Sequence, residues 1–182
     1  MEIKPFIEGT LVNLRPLSLL DVDQNYVNWL NDPEVCEFNS HHVFPYTLAL
    51  AKEYVEKVQT SRSDLVLAIV AIDSGKHIGN IALQNIHAVN RSAEYAIVLG
   101  DKAYWGKGVG KEASMLILKH GFETLNLHRI ACGTSSANIP MQKLAAKLGF
   151  KEEGRRMQAM YKNGAFVDVI EYGLLREDYI GA

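Results

Sequence analysis

The sequence predicts an α/β fold, namely a mixed, mostly antiparallel sheet of seven strands flanked by about four helices. Three observations lead to this prediction. Apolar residues make up 48% of the 182 residues and charged residues 22%, so the chain can bury a sizeable core. Strand-like and helical periodicities alternate along the chain. No Pro-, Gly- or Ser-rich tract divides it, which favours a single domain over residues 1–182.

The predicted elements follow the order β-α-α-β-β-β-α-β-α-β-β, with one strand–helix–strand–helix unit in the middle. In chain order they are a strand at 11–15, a helix capped by Ser18 and ended by residues 31–33, a helix capped by Thr47, strands at 65–72, 78–86 and 93–99, a helix over 106–124, a strand at 129–135, a helix capped by Asn138, and a hairpin of residues 150–162 and 166–175.

Local signals justify these elements in turn. Ser18 with Asp21 three residues later forms a capping box, and apolar residues follow at helical spacing. The uninterrupted apolar run 65–72 is typical of a strand that is buried on both faces. Pro140 suits the first turn of a helix, where its missing N–H costs little. Residues 163–164, Asn-Gly, are typical of a tight hairpin turn.

Net charge and cysteine content exclude several classes of protein. A formal net charge of −2 argues against nucleic acid as the main partner, since phosphate-backbone binding needs a basic surface. Cys36 and Cys132 are far apart and form neither a disulfide framework nor a metal-binding motif. Residues 1–5 lack the apolar run of a signal peptide, and no apolar stretch is long enough to cross a membrane. We therefore expect a cytoplasmic protein without a membrane partner.

A glycine-rich turn follows the strand that ends near Gly100. Residues 105–111 read Trp-Gly-Lys-Gly-Val-Gly-Lys and open the third helix. The unpaired N–H groups and positive dipole end of a helix start, together with two lysines, favour a bound phosphate or pyrophosphate. The spacing fits neither the nucleoside-triphosphate loop nor the dinucleotide fingerprint. The alternative is that these glycines bind no ligand and only allow close packing at the start of the helix.

Residues 105–110 resemble the pyrophosphate loop of the GNAT superfamily of acetyltransferases, [QR]-x-x-G-x-[GA], except for Trp105 at its first position. The Tyr-Trp-Gly-x-Gly pattern is similar to the Rim-type branch, which contains ribosomal-protein N-terminal acetyltransferases. Further similarities follow in the same order along the chain: residues 29–35, Asn138 ahead of Leu148-Gly149-Phe150, Gly154-Arg155, Asp168 and residues 172–176. The resemblance covers essentially the whole chain and implies a GNAT-like fold.

The resemblance also implies an N-acetyltransferase with acetyl-CoA as its donor. The pantetheine arm would pair with the backbone near Val98, and the pyrophosphate would lie on the N–H groups of residues 105–111. Asn138 would contact the cosubstrate, although a helix N-cap is an equally good reason for this residue. The implied cofactor-binding residues are Val98, Leu99, Gly100, Trp105, Gly106, Lys107, Gly108, Val109, Gly110, Lys111 and Asn138.

Direct attack by an amine on a thioester needs a group that accepts the amine proton. Glu94 is the candidate base, because it begins an otherwise apolar strand where burial would raise its pKa. A solvated carboxylate beside Arg91 is the alternative reading of the same position. The N–H of Val98 is the candidate donor to the oxyanion that the attack creates.

The general acid is left unassigned. The family's usual acids are a serine three positions after the asparagine or a tyrosine five before the final Phe, and Met141 and Ala145 occupy these positions. Ser135, which lies close to the start of the same helix, is a candidate substitute. Ser136 and Tyr161 are others, and water is a further one.

The acceptor is a primary amine whose identity the sequence leaves open. A protein N-terminus, a nucleotide-linked amino sugar and a polyamine all suit the acidic and aromatic loop between the first two helices. A non-catalytic acetyl-CoA-binding module is the alternative from a different class. Cys132 is interpreted as a buried structural thiol, and the histidines do not cluster, so we expect no metal. We expect a monomer or a homodimer.

Overall fold

The computed structural model describes residues 4–179. Its strands are β1 (Val12–Pro16), β2 (Leu65–Ala71), β3 (His77–His87), β4 (Ser92–Leu99), β5 (Arg129–Ser135), β6 (Lys151–Lys162) and β7 (Ala165–Leu175). They form one sheet in the order β1-β2-β3-β4-β5-β7-β6. All neighbours pair antiparallel except β4 and β5, which are parallel. The predicted seven-stranded, mostly antiparallel mixed sheet is confirmed.

Four helices accompany the sheet, α1 (Gln24–Asn31), α2 (Leu48–Thr60), α3 (Val109–Lys119) and α4 (Ile139–Lys147). The capping box of Ser18 and Asp21 is present, but it closes a short 3-10 turn, and Asp23 caps α1 instead. Thr47 and Asn138 cap α2 and α4 as predicted. In each of these helix caps, a side-chain oxygen accepts from an N–H group that has no partner inside the helix.

The third helix is shorter than the sequence predicts. The pattern indicates helix over 106–124, whereas α3 begins at Val109, because Gly108 adopts a left-handed conformation with φ of +84°. Gly106 is left-handed as well. At the other end, His120–Thr124 continue as a π-helical turn. Residues 106–108 therefore form a turn ahead of the helix and not its first turn.

The core lies on both faces of the central strands. In β2, Leu67 and Ile69 belong to the cluster that contains α3 side chains, while Val66 and Ala68 pack with Val55 of α2. Burial on both faces explains the uninterrupted apolar run in this strand. Each large aliphatic side chain removed from water in this way contributes about 1.5–3 kcal/mol.

The two parallel strands separate soon after they meet. Residues 92–94 of β4 pair with residues 129–131 of β5, and β5 then continues beside β7 as far as Ser135. Beyond Glu94, the edge of β4 on the β5 side faces no strand in the described part of the chain. The sheet therefore opens at this point, which leaves backbone groups of β4 able to bind a ligand.

A carboxylate in the first turn of α3 anchors this helix to the edge strand β1. Glu112 accepts hydrogen bonds from the N–H groups of Thr10, Leu11 and Val12 at 2.7–2.9 Å, and from the Thr10 hydroxyl. Partial burial by itself would raise the pKa of Glu112, but these hydrogen bonds outweigh it and hold the pKa below its usual value. The ionised carboxylate thus fixes the start of α3 and the turn before it.

Replacing Glu112 by glutamine should lower the free energy of unfolding by about 2 kcal/mol at neutral pH, since an amide satisfies these four donors less well. The folded pKa lies below the unfolded one, so the stabilisation is present above the unfolded pKa and is lost as pH falls through the folded pKa. Urea unfolding of both proteins between about pH 3 and pH 7 measures the difference, which should shrink on acidification.

Glu56→Gln, on the exposed side of α2, is the matched control for this measurement. It also replaces a carboxylate by an amide, but at a side chain that accepts no hydrogen bond within residues 4–179. The free energy of unfolding should therefore stay nearly unchanged. A loss as large in the control as in Glu112→Gln, or a loss that does not depend on pH, would contradict the role given to Glu112.

Candidate active site

A cleft of about 620 Å³ lies beyond the point where β4 and β5 diverge. Residues of β4, α4, the glycine-rich turn and the loop after α1 line it. Of the cofactor-binding residues predicted from the sequence, those on its walls are Val98, Leu99, Trp105, Gly106, Gly110 and Asn138. Those outside its walls are Gly100, Lys107, Gly108, Val109 and Lys111. The fold therefore gathers residues from four separate segments around one space.

The start of α3 supplies unpaired N–H groups at one end of this cleft. Within the turn, the N–H of Trp105 bonds to Lys102 O at 3.1 Å and that of Lys107 to Tyr104 O at 3.4 Å. The N–H groups of residue 106 and of residues 108–111 have no acceptor among residues 4–179. The expectation that every N–H from 105 to 111 holds the pyrophosphate is thereby narrowed to five groups.

Space is open above these N–H groups. A Cβ built on Gly106 would meet no protein atom within 4 Å, and one on Gly108 would reach only a methyl group of Leu11 at 3.7 Å. Free donors, the positive end of a helix dipole and an open approach together fit a pyrophosphate group. The residues present therefore suit the phosphates of acetyl-CoA.

The lysines around the turn differ in what they can contribute. Lys107 lies with its ammonium 5.4 Å from the ring centre of a neighbouring tyrosine, and Lys111 is exposed beside the helix start. Lys102 instead binds Asp32 and Glu34, each at 2.8 Å. These two carboxylates of the acidic loop are therefore partly neutralised, which weakens the attraction of the loop for a cationic amine.

Alternation along β4 determines which of its amides face the cleft. Gly100 donates its N–H to Ile78 O at 3.0 Å, on the β3 side. Alternate residues of an antiparallel ladder direct their N–H groups to the same side, so the N–H of Val98 also faces β3. Those of Ile97 and Leu99 face the opening. The N–H of Val98, the expected oxyanion donor, therefore does not face the cleft, whereas those of its two neighbours do.

Trp105 stands where the family pattern has Gln or Arg, and it fastens the glycine-rich turn to β4. Its indole N–H donates to the carbonyl of Leu99 at 2.9 Å. Gly100, next along the chain, packs against the ring of Trp29, where a Cβ would lie 2.0 Å from a ring carbon. A side chain at position 100 would therefore displace α1 from the end of β4.

Asn138 and Ser135 are both engaged within the protein. Asn138 accepts the N–H of Met141 at 3.1 Å and donates to Thr134 at 3.1 Å, so its capping role is present, and it also lines the cleft. Ser135 is 2% exposed, accepts a backbone N–H two residues later, and does not line the cleft. Its proposed role as an acid is therefore not supported. Tyr161 is exposed on β6, in a different pocket.

Glu94 is exposed at the start of β4 and accepts a hydrogen bond from Asn85 at 3.1 Å. The burial that the sequence predicts for this carboxylate is absent, because its side chain borders a solvent-open pocket between the loop after α1 and the β6–β7 hairpin. It lies four positions before Val98, which is about 13 Å along a strand. A base at this position must therefore act through water.

Cys132 is buried, as predicted, and burial together with Glu171 and Glu94 raises the pKa of its thiol to about 12. It is therefore protonated at neutral pH and unsuited to a covalent mechanism. Among residues 4–179, no three His, Cys, Asp or Glu side chains are arranged to hold a metal ion. Within the same range, no helix has both the length and the apolar character that a membrane span requires.

A second cavity, of about 480 Å³, adjoins the cleft at Ile97 and Val98, which line both. We call it the aromatic cavity. It lies between β3, β4 and the first two helices. Its lining side chains include Tyr26, Trp29, Tyr46, Glu53, Tyr54, Asn80 and Gln84. A molecule bound here would lie next to the cleft, because the two spaces share these two residues of β4.

The loop between α1 and α2 borders both spaces and is held by the final hairpin. Lys162, at the end of β6, donates to the backbone carbonyls of Asn39 and His41 at 3.0 and 2.8 Å. Asn39 lines the cleft and His41 the aromatic cavity. The final hairpin therefore holds in place the loop that borders both spaces.

Sequence reasoning missed several of the residues that form this site. Asn80 of β3 has no motif around it, and its hydrogen bond to Tyr26 spans 54 positions of sequence. Tyr26 has helical spacing with its apolar neighbours, which predicts a core residue. It is indeed only 2% exposed, but it also lines the aromatic cavity. The signal that points to Asn80 is a polar residue among the apolar residues of the segment 78–83.

Comparisons with known proteins agree with this geometry. The family described as acetyltransferase (GNAT) domain matches residues 12–151. The chain belongs to the GNAT acetyltransferase family. It is 30% identical over 178 residues to "Uncharacterized N-acetyltransferase p20" of Bacillus licheniformis, across 93% of this chain and 96% of that protein.

Two further proteins are similar to this chain, one in sequence and one in fold. A Bacillus subtilis protein with the provisional name ribosomal N-acetyltransferase YdaF is 33% identical over 107 residues, or 59% of this chain and 58% of that one. The crystal structure of spermidine N-acetyltransferase from Vibrio cholerae in complex with CoA and spermine shares the fold, with a TM-score of 0.85 at 24% identity over 94% of this chain and 99% of that one. This GNAT protein is thus an N-acetyltransferase, and its family uses acetyl-CoA.

Replacing Gly108 by glutamate should raise the Kd for acetyl-CoA while the fold persists. The added carboxylate stands among the N–H groups at the start of α3, and like charges a few ångströms apart repel by several kcal/mol near a protein surface, so we expect a weakening of about a hundredfold. Isothermal titration calorimetry measures the affinity, and circular dichroism checks the fold.

Gly75→Glu is the matched control. Gly75 is also left-handed, with φ of +67°, and a Cβ there meets nothing within 4 Å, so both variants carry the same kind of backbone strain. Gly75 lies in the turn between β2 and β3, outside the cleft. Unchanged acetyl-CoA affinity in Gly108→Glu, or an equal loss in Gly75→Glu, would show that the pyrophosphate lies elsewhere.

Proposed function

We propose that this GNAT protein transfers the acetyl group of acetyl-CoA by direct attack to the primary amine of a protein N-terminus or a small molecule. The observation that carries the proposal is the meeting of the cleft and the aromatic cavity at Ile97 and Val98. A donor in the first space and an acceptor in the second approach one point on β4. The resemblance to the Rim-type branch supports a protein N-terminus as acceptor.

The chain's own residues divide the work of binding between two elements. The free N–H groups at the start of α3 hold the pyrophosphate, and those of Ile97 and Leu99 bind along the opened edge of β4. One of these two amides also holds the negative charge that develops on the thioester oxygen. Acetyl-CoA, when bound, supplies the activated acetyl group.

Proton transfer relies on solvent at both ends of the reaction. Glu94 accepts the amine proton through water, because it lies too far along β4 for direct contact. In the described residues no side-chain hydroxyl lines the cleft beside Val98, and the usual acid positions hold Met141 and Ala145. Water therefore protonates the departing thiolate, which leaves readily without strong assistance.

Glu94→Gln should lower kcat by about a hundredfold near neutral pH, which is a common size for the loss of a general base. The deficit should narrow as pH rises, because more of the amine is then deprotonated without help. The pH dependence of kcat at saturating acetyl-CoA measures this, with Glu123→Gln in the exposed π-helical turn as control. A profile that coincides with the wild-type one would exclude Glu94 as the base.

A panel of amines tests the function itself. The protein is incubated with acetyl-CoA and peptides, glucosamine or spermidine, and free thiol and acetylated amine are followed together. We expect amine-dependent thiol release with at least one class. An amino sugar is the second candidate, because residues 29–35 are similar to sugar-modifying members of the superfamily. Tight acetyl-CoA binding with no release for any amine would contradict the proposal and favour a binding module.

Domain organisation, compartment and oligomeric state complete the proposal. We propose a single domain that acts in the cytoplasm as a monomer or homodimer. The two cysteines are buried free thiols, which suits a reducing compartment.

A further inference from the structure

A chain of hydrogen bonds runs from a mostly buried histidine to the aromatic cavity. Nε2 of His77 lies 2.9 Å from the backbone oxygen of Gly79 and 2.8 Å from Oδ1 of Asn80. The side-chain nitrogen of Asn80 lies 3.1 Å from the hydroxyl oxygen of Tyr26. Asn80 and Tyr26 both line the aromatic cavity, so the chain ends at the space where an acceptor binds.

The carbonyl of Gly79 determines the direction of each hydrogen bond from His77 to Tyr26. A backbone carbonyl can only accept, so Nε2 of His77 carries a hydrogen. That hydrogen also faces Asn80 Oδ1, and the amide nitrogen of Asn80 is therefore the atom that donates to Tyr26. The hydroxyl of Tyr26 thus accepts from Asn80 and keeps its own hydrogen for another partner. Among residues 4–179 there is no acceptor for it.

The surroundings keep the histidine and the tyrosine neutral. Burial lowers the pKa of His77, although nearby Asp21 opposes this. Asp21 lies 3.7 Å from His77 Nδ1, beyond hydrogen-bond reach, and is bound by Arg15 at 2.6 and 2.8 Å and by Ser18. Burial raises the pKa of Tyr26 well above its usual value, and neighbouring tyrosines add to this. The direction of the hydrogen bonds is therefore constant around neutral pH.

The hydroxyl lies close to the point of acetyl transfer. Asn80 is directly opposite Val98 in the antiparallel ladder of β3 and β4. Residues paired in this way have their Cβ atoms about 5 Å apart on the same face of the sheet. An acceptor whose amine reaches Val98 therefore presents its neighbouring atoms to Tyr26.

We propose that the hydroxyl of Tyr26 donates to an oxygen of the acceptor, which is a primary amine with an oxygen on the adjacent carbon. This inference rests on the proposed acetyl transfer and narrows its substrate class. A peptide N-terminus and a 2-amino sugar both carry such an oxygen. A polyamine offers N–H donors where Tyr26 needs an acceptor, and its protonated nitrogens cannot satisfy the hydroxyl.

The test compares kcat/KM for a tripeptide amide with a free N-terminus, glucosamine and 1,4-diaminobutane. Wild-type protein should prefer one of the two oxygen-bearing amines to the diamine. The better of these two substrates then shows whether the acceptor oxygen comes from a peptide or from an amino sugar. Tyr26→Phe should lower kcat/KM for the preferred substrate about tenfold, mainly through KM, as expected for one lost hydrogen bond. The diamine should change by less than about twofold, since it makes no such bond.

Asn80→Asp tests the direction of the bonds with the hydroxyl still present. The new carboxylate accepts the hydrogen of the Tyr26 hydroxyl, which is then no longer free to bind the acceptor. This variant, like Tyr26→Phe, should therefore lose the preference for the oxygen-bearing amine over the diamine. Tyr172→Phe, on β7, controls for the loss of a tyrosine hydroxyl elsewhere. Thermal unfolding confirms that each variant is folded.

The outcomes separate this inference from the proposed function. A wild-type preference for the diamine, or an equal loss for all three substrates in Tyr26→Phe, would overturn the role of Tyr26 while acetyl transfer stands. If no amine releases thiol, acetyl transfer fails, and calorimetric titration with the tripeptide amide decides the Tyr26 contact. Weaker binding by Tyr26→Phe than by wild type would then support the contact, and equal binding would overturn it.

Discussion

The separation of β4 from β5 is the constraint on which the site depends. After three paired residues each, the strands part, and the backbone of β4 is left with hydrogen-bonding groups on one edge. A protein interior cannot leave such groups unpaired without cost, so they must meet water or a ligand. The opening thus creates the cleft and also supplies its binding groups. The opposite edge of β4 remains tied to β3, which keeps the exposed edge in a fixed position.

Backbone carbonyls of the sheet orient several side chains of the site. The carbonyl of Gly79 determines which nitrogen of His77 holds its hydrogen, and through Asn80 the orientation of the Tyr26 hydroxyl. The carbonyl of Leu99 fastens Trp105, and with it the turn that precedes α3. Such groups are held by the sheet and do not rearrange at little cost, as side chains on a loop can. The site is therefore organised before any substrate arrives.

Sequence patterns predicted the sheet, the helices and the glycine-rich turn, because each depends on neighbours within a few positions. The capping residues Thr47 and Asn138 are local in this sense. The exposure of Glu94 could not be predicted, since it depends on whether distant segments cover the strand. The same holds for Glu112, whose partners lie about 100 positions earlier, and for the side of β4 that each amide faces, which requires the register with β3.

The contact between Lys162 and the loop after α1 has an evolutionary consequence. Lys162 binds the main-chain oxygens of Asn39 and His41 and none of their side-chain atoms. Side chains in this loop can therefore be exchanged by mutation without removing the atoms that anchor it. New acceptors can be sampled through the loop side chains that line the aromatic cavity, such as His41 and Tyr46, while those that line the cleft stay unchanged. A family that acetylates chemically different amines on one scaffold is a natural result of such an arrangement.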